Sequence, residues 1–391
     1  MSKWKKTKLK NIVKFSSGEF LPSSKQKNGG IPVYGGNGIT GWHDESIIDY
    51  STVVIGRVGA YCGSIHLTNR KSWITDNAIF IKKILDELDI EYLFRYLSRL
   101  KINLLAEVSA QPKISQGILN SLSVQYPENK IEQQKIVSIL SNVDSLIESY
   151  DKTIVSTKKL KTGLMQTLLT KGIGHKKFKK MTLFPRYNEE TIPENWDVKT
   201  AEKLIKIIDY RGRTPPFAAA GIIHLRSNNI RDGKINFNEI TYVTEDTYAE
   251  FMTRGIPQEN DILFTTEGPL GEVALVPKDF KFSLAQRIIV LRPKTKEIDS
   301  YFLKFLLQNK IVKNRYEGLS TGTTLGGIAS KWFTKLFLPF PTNIKEQEFI
   351  GKTLFSLENK INNLESKKRS LEKIKNGLMQ KLLTGQIRVR I

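Results

Sequence analysis

A few short stretches carry residue types that could do chemistry. "TPPF" at 214–217 lies one residue away from the Asn/Asp-Pro-Pro-aromatic pattern with which amino-methyltransferases hold a target amino group. Thr214 has no carbonyl to accept from that amine, and no glycine-rich cofactor loop follows a strand nearby, so a turn is expected there. "GKT" at 351–353 ends like a phosphate-binding loop, but position 346, where the first glycine belongs, is Glu, and the segment reads as helix. "GGNG" at 35–38 is common turn chemistry. His43, His66, His175, His224 and the lone Cys62 show no metal-ligand spacing. No Ser-His-Asp set is marked either. The expectation is a chain with no catalytic centre, metal or cofactor of its own. One cysteine excludes an intramolecular disulfide, fits a reducing cytoplasm and reads as a small buried hydrophobe.

Charge points to a partner. Sixty-one Lys and Arg against 39 Asp and Glu leave a net +22 over 391 residues. A surplus of that size implies a polyanion, and nucleic acid fits best. An anionic membrane surface would need one basic amphipathic helix, whereas these lysines are spread along the chain. No apolar run approaches the ~18 residues of a bilayer span. The basic start MSKWKKTKLK has no apolar stretch behind it, so it does not read as a secretory signal.

The elements that must position any such surface are written twice. "GLMQTLLT" at 163–170 returns as "GLMQKLLT" at 377–384, and 131–173 aligns with 345–387 without a gap. Sixteen of those forty-three positions are identical, among them Glu132/Glu346, Gln133/Gln347, Ile136/Ile350, Leu140/Leu354 and Ile147/Ile361. The offset of 214 extends upstream to Pro127/Pro341 and Ile114/Ile328. It shrinks to 209 if Tyr92 pairs with Tyr301, and to 192 where Trp4 meets Trp196. One part of the unit therefore has a fixed length while the other varies, as in a scaffold that carries a specificity module.

The fixed part is helical. Ile136, Leu140, Val143, Ile147, Tyr150 and Ile154 recur in steps of four and three, as do Ile350, Leu354, Leu357, Ile361 and Leu364, resuming at Leu371 and Leu378. That is a coiled-coil seam. Thr170-Lys171-Gly172 and Thr384-Gly385 supply the helix ends. Each helix would run about 39 residues, roughly 58 Å at 1.5 Å per residue. The variable parts, "VVIGRVGAYCGSIHL" (53–67) with "WITDNAIFIKK" (73–83), and "DILFTTEGPLGEVALV" (261–276) with "FSLAQRIIVLRP" (282–293), are strand candidates. The expected fold is mixed α+β: two α/β globules in pseudo-two-fold arrangement, separated by two long helices that form an antiparallel coiled coil.

Two unequal α/β units, each followed by an "EQ…I…L" helix ending "LK.GLMQ.LLT", resemble the specificity subunit of Type I restriction–modification enzymes. "IPVYGGNGITG" and "IPENW" also look like phrases of that family, and the resemblance covers essentially the whole chain. It implies target recognition domains at 1–130 and 191–343, spacer helices at 131–173 and 344–391, and a linker at 174–190. It also implies double-stranded DNA, two methyltransferase subunits and a pair of restriction subunits as partners. S-adenosylmethionine, ATP and Mg would sit on those partners and not on this chain. Two unlike readers on such a frame should bind a bipartite, asymmetric target. A ~58 Å rod, under two DNA turns at about 34–36 Å each, would act as the ruler for the gap.

The candidates for base contact are loop residues. They are Tyr34, Asn37, Arg57, Asn77, Gln111 and Lys113 in the first unit, with Arg211, Arg213, Arg226, Asn228, Asn229, Thr265, Thr266, Thr321 and Thr323 in the second. Arg suits guanine, and Asn or Gln suits adenine; the alternative for each is a turn or phosphate contact. Lysines 3, 5, 6, 8, 176, 177, 179 and 180 would add attraction without sequence preference. The repeated endings, Leu164, Met165, Leu168 and Leu169 with Leu378, Met379, Leu382 and Leu383, would either dock the two methyltransferase subunits or close each helix onto the neighbouring domain. An enzyme in its own right, or a coiled-coil adaptor without a DNA role, are the rival readings.

Overall fold

The apolar seam behind Glu132 and behind Glu346 folds into one unbroken helix each time, Lys130–Lys171 and Ile344–Leu382. Their inward positions are those of the 3.5-residue period: Ile136, Leu140 and Ile154 are buried in the first helix, and Ile350, Leu354 and Ile361 in the second. The structure is a computed structural model and describes residues 3–106, 112–183, 188–212, 214–320 and 327–390. It divides into two units, one of Met1–Lys152 with Glu365–Ile391, the other of Thr153–Leu364. Each unit thus holds an α/β globule with a length of both long helices.

Within each unit the two helices run antiparallel. In the first, Lys375 Nζ lies 2.6 Å from Asp144 and Lys368 Nζ 2.6 Å from Asp151. Seven residues forward on one helix is seven back on the other. In the second unit Lys161 Nζ sits 2.7 Å from Glu358, and further along His175 meets Glu346 at 2.8 Å. Asp144 and Glu358 are 214 residues apart, as are Lys161 and Lys375, so the duplicated sequence makes the same acid–lysine pair twice.

The globules share one topology. Strand Trp4–Lys8 pairs antiparallel with Ser123–Pro127, placing Trp4 opposite Pro127; Trp196–Thr200 pairs with Phe337–Pro341, placing Trp196 opposite Pro341. A four-stranded sheet follows in the order Val13–Ser17, Ala78–Ile84, Val53–Gly56, Ile65–Leu67, matched by Ile205–Asp209, Ile288–Pro293, Ile262–Thr265, Val273–Leu275. A three-stranded sheet has Ile31–Gly35 between antiparallel Gly38–His43 and parallel Trp73–Ile74. Its counterpart has Ile222–Leu225 between antiparallel Thr241–Val243 and parallel Phe282–Leu284. The second unit adds the strand pair Ile230–Arg231/Lys234–Ile235, the helix Glu245–Phe251 and the hairpin Phe178–Leu183/Asn188–Pro193. The first two lie within the upstream region that the shrinking offset marks as variable.

Each globule docks on its long helix through a glutamine. Gln133 accepts from the Asp89 backbone N–H at 2.7 Å and donates to the carbonyls of Glu87 (3.0 Å) and Pro127 (2.9 Å). Gln347 accepts from Asp299 at 2.9 Å and donates to Glu297 (3.1 Å) and Pro341 (2.7 Å). Asp89 and Asp299 are the N-caps of helices Ile90–Arg99 and Ser300–Gln308. This corrects the pairing of Tyr92 with Tyr301. Three residues past its cap, buried Tyr92 corresponds to buried Phe302, while Tyr301 packs instead on Phe355.

The two glycine phrases find structural reasons. "GGNG" is a two-residue hairpin turn, with Gly35 paired to Gly38; Gly38 has φ 83°, which a side chain would strain. In "GKT", a Cβ on Gly351 would come within 2.6 Å of the Phe302 backbone nitrogen. The glycine lets the long helix approach the start of Ser300–Gln308. The chain leaves its long helices at Gly172 and Gly385, as expected from sequence.

Candidate nucleic-acid interface

Where the central strands of the sheets end, each unit gathers a set of loops. In the first, the Arg57 N–H donates to the Asn77 carbonyl at 2.9 Å, and the Arg57 carbonyl accepts from Ile114 at 2.9 Å. In the second, Thr266 N–H donates to the Arg287 carbonyl at 3.0 Å, and the Thr266 carbonyl accepts from Ile328 at 3.0 Å. Thr75 bonds to the Tyr34 carbonyl as Ala285 does to that of Leu225, at 2.8 and 2.9 Å. These bonds set the equivalences Arg57/Thr266, Asn77/Arg287 and Tyr34/Leu225. Counting on from the last gives Gly35/Arg226 and Asn37/Asn228.

Asn37, Arg57, Asn77 and Lys113 are all exposed. The backbone bonds bring Arg57, Asn77 and Lys113 together, and Gly36 beside Asn37 lies close to Gly56 and the Asn77 carbonyl. Buried Cys62 supports the group from beneath, its thiol 3.4 Å from the Arg57 carbonyl; burial pushes that thiol's pKa up. In the second unit Arg226 is half-buried and Asn228 exposed. They line a cavity of about 370 Å³ with Pro215, Phe217, Gln286 and Arg287. The "TPPF" segment is irregular backbone along that cavity and not a hydrogen-bonded turn. Arg287 also pairs with Glu267 at 2.9 Å.

Other candidates belong to the framework. Tyr34 is buried, and its hydroxyl accepts from the Asn69 N–H at 3.2 Å. Thr265 is fully buried at a strand end, donating to the Pro269 carbonyl at 2.6 Å and accepting from the Glu272 N–H at 2.9 Å. Thr266 is buried as well, and Asn229 is buried while tying Arg226 to the carbonyls of Asn236 and Asn238. Neither Tyr34 nor Thr265 has side-chain surface left to reach a base edge. Arg211 grips Asp209 through two nitrogens and also reaches Ser330, so its guanidinium is a brace. Burial alone would raise the Asp209 carboxyl, but hydrogen bonds from Arg211 and Ser330 outweigh it and hold its pKa low. Gln111, Arg213, Thr321 and Thr323 lie outside the described residues.

The repeated endings face inward. Leu169 sits in the core of the second unit, and Leu382 and Leu383 in that of the first, each no more than 3% exposed. They therefore have no surface to offer a partner, and the closing role explains them. Leu164, Met165 and Leu168, and likewise Leu378 and Met379, pack half-buried against the same cores. Of the lysines, Lys5 pairs with Asp86, Lys179 donates to the Trp196 carbonyl and Lys180 pairs with Glu189.

Gln286 and Arg287 were missed in the sequence, although Asn77 was chosen. The signal was available: "TDNAI" and "AQRII" occupy the same place in the two units, and carrying the repeat across would have found both. Among the described residues no group of three His, Cys, Asp or Glu could hold a metal, and no helix is long and apolar enough to cross a membrane.

Two α/β globules of one topology, each set on an antiparallel pair of long helices with unlike side chains at equivalent loop tips, define a duplicated recognition scaffold. The chain matches the Type I restriction modification DNA specificity domain over residues 1–156 and 193–375, and it belongs to that family. It is 29% identical over 362 residues to the Type I restriction enzyme MjaVIII specificity subunit of Methanocaldococcus jannaschii, covering 88% of this chain and 81% of that one. It is 26% identical to the MjaIX specificity subunit of the same organism, covering 99% and 94%. The fold is that of the crystal structure of a Type I restriction-modification system S subunit from M. genitalium, with TM-score 0.68, 17% identity, and 98% and 96% of the two chains covered. The chain is accordingly a non-catalytic specificity subunit with DNA-recognition domains.

Proposed function

We propose that this chain reads a bipartite, asymmetric DNA sequence, one half with each globule, and recruits two methyltransferase subunits and, where the system restricts, two restriction subunits. The observation that carries the reading is the substitution of side chains on a common backbone frame. Arg57 stands where the second unit has Thr266, Asn77 where it has Arg287, and Gly35 where it has Arg226, while Asn37 and Asn228 coincide. Frames that match and tips that differ suit two readers of different base sequences. The antiparallel helices, clipped in register by the repeated acid–lysine pairs, would fix the number of unread base pairs between the halves.

S-adenosylmethionine, ATP and Mg belong to the partner subunits in this reading. A methyltransferase acting on a base within a duplex must extrude it, and this chain's part is to choose where. With Leu169, Leu382 and Leu383 committed to the cores, docking falls to outward positions of the long helices. Leu146, Val155, Leu160 and Ile374 are exposed there.

The test is to co-express the chain with its methyltransferase partner and map methylated adenines across a host genome. A single two-part motif with a fixed gap is expected. Replacing 1–130 with the equivalent part of a relative should change one half only. A stable complex without a motif would sink DNA readout by this chain.

A further inference from the structure

The cavity in the second unit has a composition that flush major-groove contact does not require. Its volume of about 370 Å³ falls at the small end of the ~300–1,000 Å³ range of ligand pockets. That suits one heterocycle better than a stack of them. Phe217 lines it with 56% of its surface exposed, so part of the ring is open to solvent. Its ring centroid is 5.5 Å from that of His224, which is buried and bonded to Ser283 at 2.7 Å. Burial, then the neighbouring Arg226 charge, lowers the His224 pKa to about 4, so the imidazole is uncharged at neutral pH. Asn228, Gln286 and Arg287 supply amide and guanidinium edges around the mouth. The Arg226 Nε is buried with no hydrogen-bond partner among the described residues, while its Nη2 donates to the Glu239 carbonyl at 3.0 Å.

The first unit shows that the shared frame does not demand this set. Lys27 bonds to the Trp42 carbonyl as Ala218 does to that of Tyr242, so Gln26 stands where Phe217 does. Gly35 stands for Arg226, and Asp76 and Asn77 for Gln286 and Arg287. The aromatic ring at 217 and the guanidiniums at 226 and 287 thus belong to one tip of the duplicated scaffold, where the other has Gln26, Gly35 and Asn77.

We propose that this cavity receives a single nucleobase swung out of the DNA duplex, stacked on Phe217 and read at its polar edge by Asn228, Gln286 and Arg226, with Arg287 holding the flanking phosphate. Aromatic stacking plus hydrogen bonds to an exposed base edge is how extrahelical bases are held. The second unit would then read one position by extrusion, in addition to groove contacts. The inference rests on the specificity-subunit reading above.

The test uses the full-length chain and duplexes of its mapped target, with each base in turn placed opposite an abasic site. Weakening the pair removes the unpairing cost at an extruded base only. One position is expected to bind about tenfold tighter, and every other abasic placement to bind equally or more weakly. Phe217→Ala should erase that gain, and Phe217→Trp should keep it; Phe217 is exposed enough for both variants to fold. Absence of any tightening position, or a gain that survives Phe217→Ala, overturns the proposal while leaving specific binding intact. Phe217-dependent binding of a free nucleoside monophosphate without any abasic gain would also overturn it, identifying a small-molecule site. No preference among duplexes at all would fell the specificity reading itself, and this proposal with it.

Discussion

Replacing Glu358 by Ala should unfold the second unit far more readily than its repeat-equivalent change in the first. Glu358 receives Lys304, whose side chain is 1% exposed, on one oxygen and Lys161, 18% exposed, on the other at 2.7 Å. Burial lowers the Lys304 pKa, and Glu358 is what opposes that shift. Removing the carboxylate leaves an ammonium buried beside Phe305 and Phe355 with no countercharge. Breaking a buried pair from one side costs about 3–5 kcal/mol. For a unit of this size, at roughly 2–4 °C per kcal/mol, that is a drop of about 6–20 °C in Tm. Asp144, at the matching place in the first unit, is 34% exposed while holding Lys375 and Arg95. Asp144→Ala should cost less, about 1–2 kcal/mol, because Lys375 is 32% exposed and Arg95, though 10% exposed, keeps Ser141 as an acceptor. Urea melts followed by hydrogen exchange, which resolves the two units, would measure both. The double variant Lys304→Met/Glu358→Leu should recover part of the loss, because the fully buried ammonium is gone and only Lys161, 18% exposed, is left without its carboxylate. If Glu358→Ala costs no more than Asp144→Ala, or the double variant costs the sum of its singles, the account of this cluster is wrong.

Three further outcomes are expected. His224 has a folded pKa of about 4 against about 6.5 unfolded, so the unfolded chain binds the extra proton in that window. Stability of the second unit should be full above pH ~6.5 and fall by up to about 3 kcal/mol towards pH 4; a His224→Gln variant should flatten that slope in pH-dependent melts. Gln347→Leu would strand three backbone groups at the junction of globule and helix and should cost about 1–3 kcal/mol, with Gln133→Leu doing the same in the first unit, as denaturant midpoints would show. Gln286→Ala should relax the methylation motif in one half only, losing about 1–3 kcal/mol of discrimination at one position, whereas Arg287→Ala should weaken binding evenly and leave the motif unchanged; an unchanged motif in Gln286→Ala would remove Gln286 from base readout.

The scaffold was legible in the sequence because its constraints are periodic. A seam that must face a partner helix repeats in steps of three and four, and a helix that must dock a globule keeps Glu-Gln at its start. Duplication then checked one copy against the other. The reading tips were less legible, since a residue type does not announce its burial. Tyr34 and Thr265 look like base readers but lie on or beside strands whose ends are covered, and Arg211 is consumed by Asp209 two residues away. Tyr92 drew Tyr301 as its match because both are tyrosines, although the helix start is set by Asp89 and Asp299. The cavity was invisible because its wall joins positions 215, 226 and 286, which only the three-stranded sheet brings together.

The pairing of each outgoing helix with the returning end of the other has a consequence for synthesis. Glu132 is emerging from the ribosome long before Arg388, yet it is wholly buried and held by that arginine at 2.8 Å. Leu382 and Leu383 complete the core around Ile136 and Leu140. The first unit, though translated first, therefore waits with an open, acidic-rimmed apolar groove until some two hundred further residues have been made. The second has its own outgoing and returning helix lengths in hand by residue 364. Order of folding is thus expected to invert order of translation, and a nascent chain stalled after 364 would expose the unfinished groove to chaperones.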